Sequence, residues 1–409
     1  MTKNPQELAK ERYARLSAAI NLETPDRVPV WGIGGDVVAQ YGGISQKEFA
    51  YDYEKSLGAI KKFNGDFQFD TAGAYIPGLD GRIFNIAFSG FDDISSSSTF
   101  ITGPMHDVLD DKYYRYPGNE ISEDSSPQFT GGCFMEADEY DQLIKDPTGF
   151  IANTILPRAC NNLSSPRQSM ATWARYGQEI GRFYAALGEM GRISAEQGYA
   201  SMPQGEAYTP LDLIGDFMRG INNTVLDIRR YPDKVKEATE ALVEPILTYA
   251  LSYKKIGFDF VMIPLHLNEY LSPKLYKEFY WGPLKKIILK LLDEGIRSQI
   301  FFEGHHEPHL ETILELPKGW GIAYFEKTDI LKAREVLKDN CCVAGGLPMS
   351  LVIGGTPETI DSYIKELLEK VKPGGGGFIL AANVATAPRE TPVENLHAVI
   401  KAVEKYGWY

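Results

Sequence analysis

Along the second half of the chain, apolar residues recur in two alternating modes. Short unbroken runs at 258–264, 298–302, 321–325, 341–345 and 377–382 are separated by longer stretches. In those stretches apolar side chains return every three or four residues, at 275–292, at 309–316, at 330–337 and after Thr356-Pro357 and Thr391-Pro392. An unbroken apolar run of five to eight residues suits a strand buried on both faces, and a three-to-four spacing suits an amphipathic helix. Ser272-Pro273, Thr356-Pro357 and Thr391-Pro392 read as helix starts, because a hydroxyl accepts from the open N–H groups of the first turn and Pro needs no donor there. Thr391 with Glu394 has the spacing of a capping box. Strand–helix alternation predicts a parallel sheet with right-handed crossovers.

The first half adds three expected strands, 28–33, 67–71 and 199–203, which makes eight. Eight such strands in 409 residues predict a (β/α)₈ TIM barrel, a single domain over 1–409. Between the second and third strands lies a long insertion, about 73–170, rich in Gly, Ser, Asp, Tyr and Phe. Its aromatic clusters, such as Tyr113-Tyr114-Arg115-Tyr116, are expected to form a lid or pocket wall on the catalytic face.

The formal charge of −13 disfavours nucleic acid and anionic membranes as partners. No stretch approaches the roughly 18 apolar residues that a spanning helix needs. Four scattered cysteines, Cys133, Cys160, Cys341 and Cys342, suggest neither a disulfide scaffold nor a zinc knuckle, and Cys341-Cys342 read as small core residues. With the polar start at Thr2-Lys3-Asn4, this leads to the expectation of a reducing cytoplasmic setting. A homodimer is compatible with this composition.

In a barrel, function sits at the C-terminal ends of the strands. Those ends supply Trp31, Asp70, Gln204 and Glu206, then His266, Glu303 and His305, then Glu326, Gly345-Gly346 and Asn383. We take Glu303, His305, His266, Glu326 and Asp70 as catalytic candidates, and Trp31, Tyr208, Asn383 and Gly346 as substrate-binding candidates. Three of the six histidines fall in Glu303-Gly304-His305-His306-Glu307-Pro308-His309. Strand alternation would put Phe301, Glu303 and His305 on one face, so Glu303 and His305 are the expected inward pair and zinc ligands. His306 and His309 are expected outside that shell, and His106 and His397 in structural roles. Gly374-Gly375-Gly376-Gly377 precedes the last strand, so it lies at the wrong face for a phosphate cradle. Gly32, Gly34, Gly35 and Gly345-Gly346 are expected to let a substrate approach the backbone.

Five stretches resemble the uroporphyrinogen decarboxylase superfamily, which also holds corrinoid-linked methyltransferases. They are Pro25-Asp26-Arg27-Val28-Pro29-Val30, Leu271-Ser272-Pro273-Lys274-Leu275-Tyr276, Gly345-Gly346-Leu347-Pro348, Gly355-Thr356-Pro357-Glu358 and Thr391-Pro392-Val393-Glu394-Asn395-Leu396. The resemblance implies a (β/α)₈ barrel. The decarboxylase itself holds a polycarboxylate with arginines near its first strand, where this chain reads Trp31-Gly32-Ile33-Gly34-Gly35. Thiol-activating methyltransferases of the superfamily hold zinc with a His-x-Cys pair at the fifth strand and a Cys at the eighth. Those positions here are Phe301, Glu303 and Asn383. The resemblance therefore implies an O-demethylase-type component that passes a methyl group from a small, aromatic-ether-like donor to the Co(I) of a partner corrinoid protein. The alternative is a decarboxylase or lyase acting on another acid.

Overall fold

A computed structural model describes residues 4–91, 93–200, 202, 204–384 and 386–409. The chain packs as two compact units, one of Met1–Pro77, Ala185–Met202 and Phe301–Tyr409 and one of Gly78–Tyr184 and Pro203–Ile300.

In the first unit, parallel strands Gly321–Phe325, Cys342–Leu347 and Phe378–Ala382 lie side by side, with Ala344 opposite Tyr324 and Ile379. Almost every residue in them is buried, as unbroken apolar runs require when helices cover both faces. Cys341 and Cys342 are both buried here. The expected first strand narrows to one parallel bridge, Val30 with Leu380, where Trp31 N–H donates to Leu380 O at 2.9 Å. Asp70 N–H donates to Val30 O at 3.1 Å, so the 67–71 segment follows next.

In the second unit, Gly205–Glu206 pairs in parallel with Phe260–Leu265, and Arg297 N–H donates to Asp259 O at 2.9 Å. The third strand thus sits a few residues later than the expected 199–203, of which Ser201 and Pro203 lie outside the described residues.

Helix starts follow local chemistry. Thr356 closes a capping box, but with Thr359, and Ser272 accepts from Leu275 N–H. The box expected of Thr391 and Glu394 does not form, because the Thr391 hydroxyl turns back to donate to Pro388 O at 2.7 Å and the helix Val393–Tyr406 has no side-chain cap. The helical run expected over 309–316 shrinks to Leu310–Ile313.

The aromatic insertion also departs from expectation. Tyr113, Tyr114 and Tyr116 are fully buried, and their hydroxyls donate to the carbonyls of Phe217, Asp80 and Ile101. Rings removed from water with their hydroxyls satisfied make a core rather than a lid. Phe134 and Phe217 pack against Tyr113 and Phe129 against Tyr114, with ring centroids 5.2–5.8 Å apart.

The glycine expectations resolve similarly. A Cβ on Gly34 would lie 1.8 Å from Gly73 O, and one on Gly32 would lie 2.5 Å from Ala72 O. What approaches these glycines is the chain's own backbone. The carbonyls of Gly374, Gly375 and Gly377 accept from the Arg334 guanidinium at 3.1–3.3 Å, so the tetraglycine loop holds an arginine.

Candidate functional site

The Glu/His run after Phe302 does not build the expected pair. The strand Arg297–Phe302 alternates half-buried and buried residues up to Phe302. Gly304 then adopts φ +68°, a left-handed turn that ends strand parity before His305. The His305 side chain is 66% exposed, with Nδ1 3.7 Å from Glu307 Oε2. His306 and His309, expected outside, are buried with ring centroids 5.2 Å apart, and burial and then the charge of His309 drive His306 well below its ordinary range. Glu303 is half-buried beside Tyr324. Among the described residues, no three His, Cys, Asp or Glu side chains converge as a metal would require. The exposed His305 and half-buried Glu303 thus lack, among the described residues, the third donor that a zinc centre needs.

Four of the candidates do meet. His305, Glu326, Gly346 and Asn383 line a cavity of about 540 Å³ in the first unit, with Thr328 and Asp329. Its polar atoms serve local structure. Glu326 accepts from Gly304 N–H at 2.7 Å, Asn383 from Met349 N–H at 2.8 Å, and Thr328 from His306 N–H at 2.9 Å. Asp329 caps the helix Ile330–Leu337. Trp31 packs edge-on against Tyr324, with centroids 5.1 Å apart. Asp70 is 2% exposed; it accepts from Arg15 at 2.6 Å, from Arg27 at 2.8 and 3.0 Å, and from Val30 N–H at 2.8 Å. With its oxygens so occupied, it anchors the chain rather than facing a substrate.

Acid–base geometry appears instead in the second unit, at the ends of Gly205–Glu206 and Phe260–Leu265. Tyr208 OH donates to Asp216 Oδ2 at 2.6 Å, and His266 Nδ1 lies 2.6 Å from the same oxygen. A carboxylate only accepts, so Nδ1 carries the proton. Asp212 holds the turn below: it accepts from His266 N–H at 3.1 Å, Leu267 N–H at 2.9 Å and the Tyr280 hydroxyl. Burial pushes the Asp212 carboxyl up to about 6, with the His266 charge opposing and Asp216 adding. Arg82 lies over the Tyr208 ring, 4.7 Å from its centroid, and reaches Asp80 at 2.7 Å and Glu206 at 3.0 Å. Burial raises Glu206 to about 8, with Arg82 pulling it down and Asp80 pushing it up. His266 is the partly exposed member, its side chain 24% exposed beside a 3% exposed Asp216.

Asp212 and Asp216 escape sequence reasoning, although a signal exists. Thr209-Pro210 starts a helix, with Thr209 accepting from Asp212 N–H, and residues four apart share a helix face. The next turn, Ile214–Met218, widens to π-helical geometry, a deviation common at functional sites.

The family model for uroporphyrinogen decarboxylase (URO-D) matches residues 178–406, more than half of the chain. The chain belongs to the uroporphyrinogen decarboxylase family. Uroporphyrinogen decarboxylases from three strains of Coxiella burnetii are 25% identical over 181 residues, covering 43% of this chain and 48% of each relative. The chain thus spans about half the length of the curated relatives it matches. A methyltransferase from Methanosarcina mazei superposes over 96% of this chain and 98% of that one, with TM-score 0.63 and 15% identity. That likeness is one of fold, and it agrees with the (β/α)₈ class expected from the strand count. Among the described residues of this family member, no helix is long and apolar enough to cross a membrane.

Proposed function

We propose that this protein transfers a methyl group from a small O-methyl donor to the Co(I) corrinoid of a partner protein. The observation that carries the reading is the His266–Asp216–Tyr208 cluster at the strand ends, an acid–base group at the position where barrel enzymes do chemistry. The fold shared with a methyltransferase along nearly the whole chain supports it. The buried insertion aromatics lend no weight to an aromatic donor in particular, so the donor class is a methyl ether, alkyl or aryl.

A second reading, decarboxylation, is favoured by the family model and the curated relatives. Against a polycarboxylate substrate stand the arginines beside the first strand. Arg15 and Arg27 are tied to Asp70, Arg15 also to Asp26, and Arg12 to Gly198 O and Gln68.

The test is an anaerobic assay of the purified protein with free cob(I)alamin and a panel of small methyl donors. Formation of methylcobalamin, read from its absorbance, supports methyl transfer. Carbon dioxide release from a porphyrinogen carboxylate, with no methylcobalamin from any donor, replaces this reading with decarboxylation.

A further inference from the structure

We propose that Asp216 and Tyr208 hold His266 as the proton donor to the leaving oxygen, which makes this site selective for donors that need such a proton. The inference rests on the methyl-transfer reading above. An alkoxide or phenolate leaves poorly, whereas an amine leaving a quaternary ammonium departs neutral and needs no acid. The geometry provides the acid. Asp216 Oδ2 accepts hydrogen bonds from His266 Nδ1–H at 2.6 Å and from the Tyr208 hydroxyl at 2.6 Å, and Tyr208 OH also lies 3.2 Å from Nδ1. One carboxylate oxygen held by two donors fixes both the ring orientation and the tautomer, so Nε2 is the working nitrogen. Asp212 fixes the backbone of the same residue through His266 N–H. Charged and titratable groups facing His266 include Asp216, Asp212 and Tyr208, with Arg82 behind the Tyr208 ring.

The imidazolium gives its Nε2 proton to the ether oxygen as the C–O bond breaks, and that bond's electron pair stays on oxygen, giving an alcohol or phenol. Co(I) of the partner's corrinoid supplies the pair for the new Co–CH₃ bond and becomes Co(III). His266 is left neutral, its proton on Nδ1 and donated to Asp216 Oδ2. In this scheme His266 is the catalytic residue, and Asp216 and Tyr208 are positioning residues.

The test compares wild type with Asp216→Asn and His266→Gln on three donors, with cob(I)alamin as acceptor: anisole, 4-nitroanisole and glycine betaine. On anisole, each variant is expected to lose on the order of 10²–10⁴ in kcat with little change in KM. On 4-nitroanisole, whose phenolate leaves readily, the loss shrinks at least tenfold, and wild type uses betaine poorly. His266 is partly exposed, so His266→Gln keeps the test valid if Asp216→Asn fails to fold. Equal losses on anisole and 4-nitroanisole overturn the inference while leaving methyl transfer intact. A wild type inactive on all three donors, or active on betaine alone, overturns the O-methyl reading and the inference with it.

Discussion

His106 lies at the centre of a buried ion cluster in the second unit, and its contribution to stability should vanish in mild alkali. The ring is 3% exposed; Nδ1 lies 2.7 Å from Asp111 Oδ2 and Nε2 3.2 Å from Glu120 Oε1. With a carboxylate at each nitrogen, both carry protons. Burial pulls the imidazole down, but Asp111 and then Glu120 outweigh it and raise it to about 9 from its ordinary 6.5. Asp111 is locked in turn by the N–H groups of Tyr113 and Tyr114. A group that binds its proton more tightly in the folded chain stabilises the fold fully below pH about 6.5, and loses that contribution as pH rises through about 9. At about 1.4 kcal/mol per pKa unit, the ceiling is roughly 3 kcal/mol. Burial pushes the Asp111 carboxyl up, which offsets part of the cluster's net stabilisation without lessening this pH dependence, so the expected loss between pH 6.5 and 10 follows His106 and is roughly 3 kcal/mol. Urea denaturation at several pH values, followed by far-UV circular dichroism, measures it. His106→Gln, with no charge to lose, should be less stable at pH 6.5 and should show a flatter dependence above pH 7.5. Parallel wild-type and variant profiles from pH 6.5 to 10 would refute the reasoning.

Asp70→Asn leaves the buried Arg27 without its carboxylate and takes one of two from Arg15, so it should destabilise the first unit by about 3–5 kcal/mol in thermal or urea unfolding; a melting temperature within a degree of wild type would show that Asp70 is no anchor. Gly346→Ala forces a side chain into φ +91°, with its Cβ 3.1 Å from Leu367 and 3.2 Å from Ile330. It should cost about 1–3 kcal/mol by the same measurement, and an unchanged stability would contradict the left-handed backbone at that strand end.

The second half of the fold was legible because its strands are unbroken apolar runs and its helices announce themselves through Ser-Pro or Thr-Pro starts. Gly321–Phe325 and Ile330–Leu337 fall where the pattern puts them. The first half was less so, since 28–33 makes one bridge around Val30, and a strand held by so few pairs leaves little periodicity to read. At the cluster around Asp216, His266 was a candidate because it follows a strand end, where barrel chemistry sits, and Tyr208 was one for substrate binding. Asp212 and Asp216 were missed because aspartates four apart on a helix read as a solvated face until tertiary packing buries them. Glu303 and His305 failed for a local reason: period-two reasoning holds only while the backbone stays extended, and Gly304 breaks it.

The charge balance of the second unit fits the proposed donor. Glu206 and Tyr208, two residues apart after the short third strand, bring together a buried carboxyl and a phenol. Arg82 sits between Asp80 and Glu206, and one guanidinium cannot neutralise two desolvated carboxylates, so burial keeps a proton on Glu206 up to about pH 8. That trio is then neutral as a whole. A trio without net charge offers a cationic donor no net attraction through Tyr208. An uncharged methyl ether needs no such attraction, and deprotonation of Glu206 above pH 8 would add a negative charge behind Tyr208 and shift the balance towards cationic ligands.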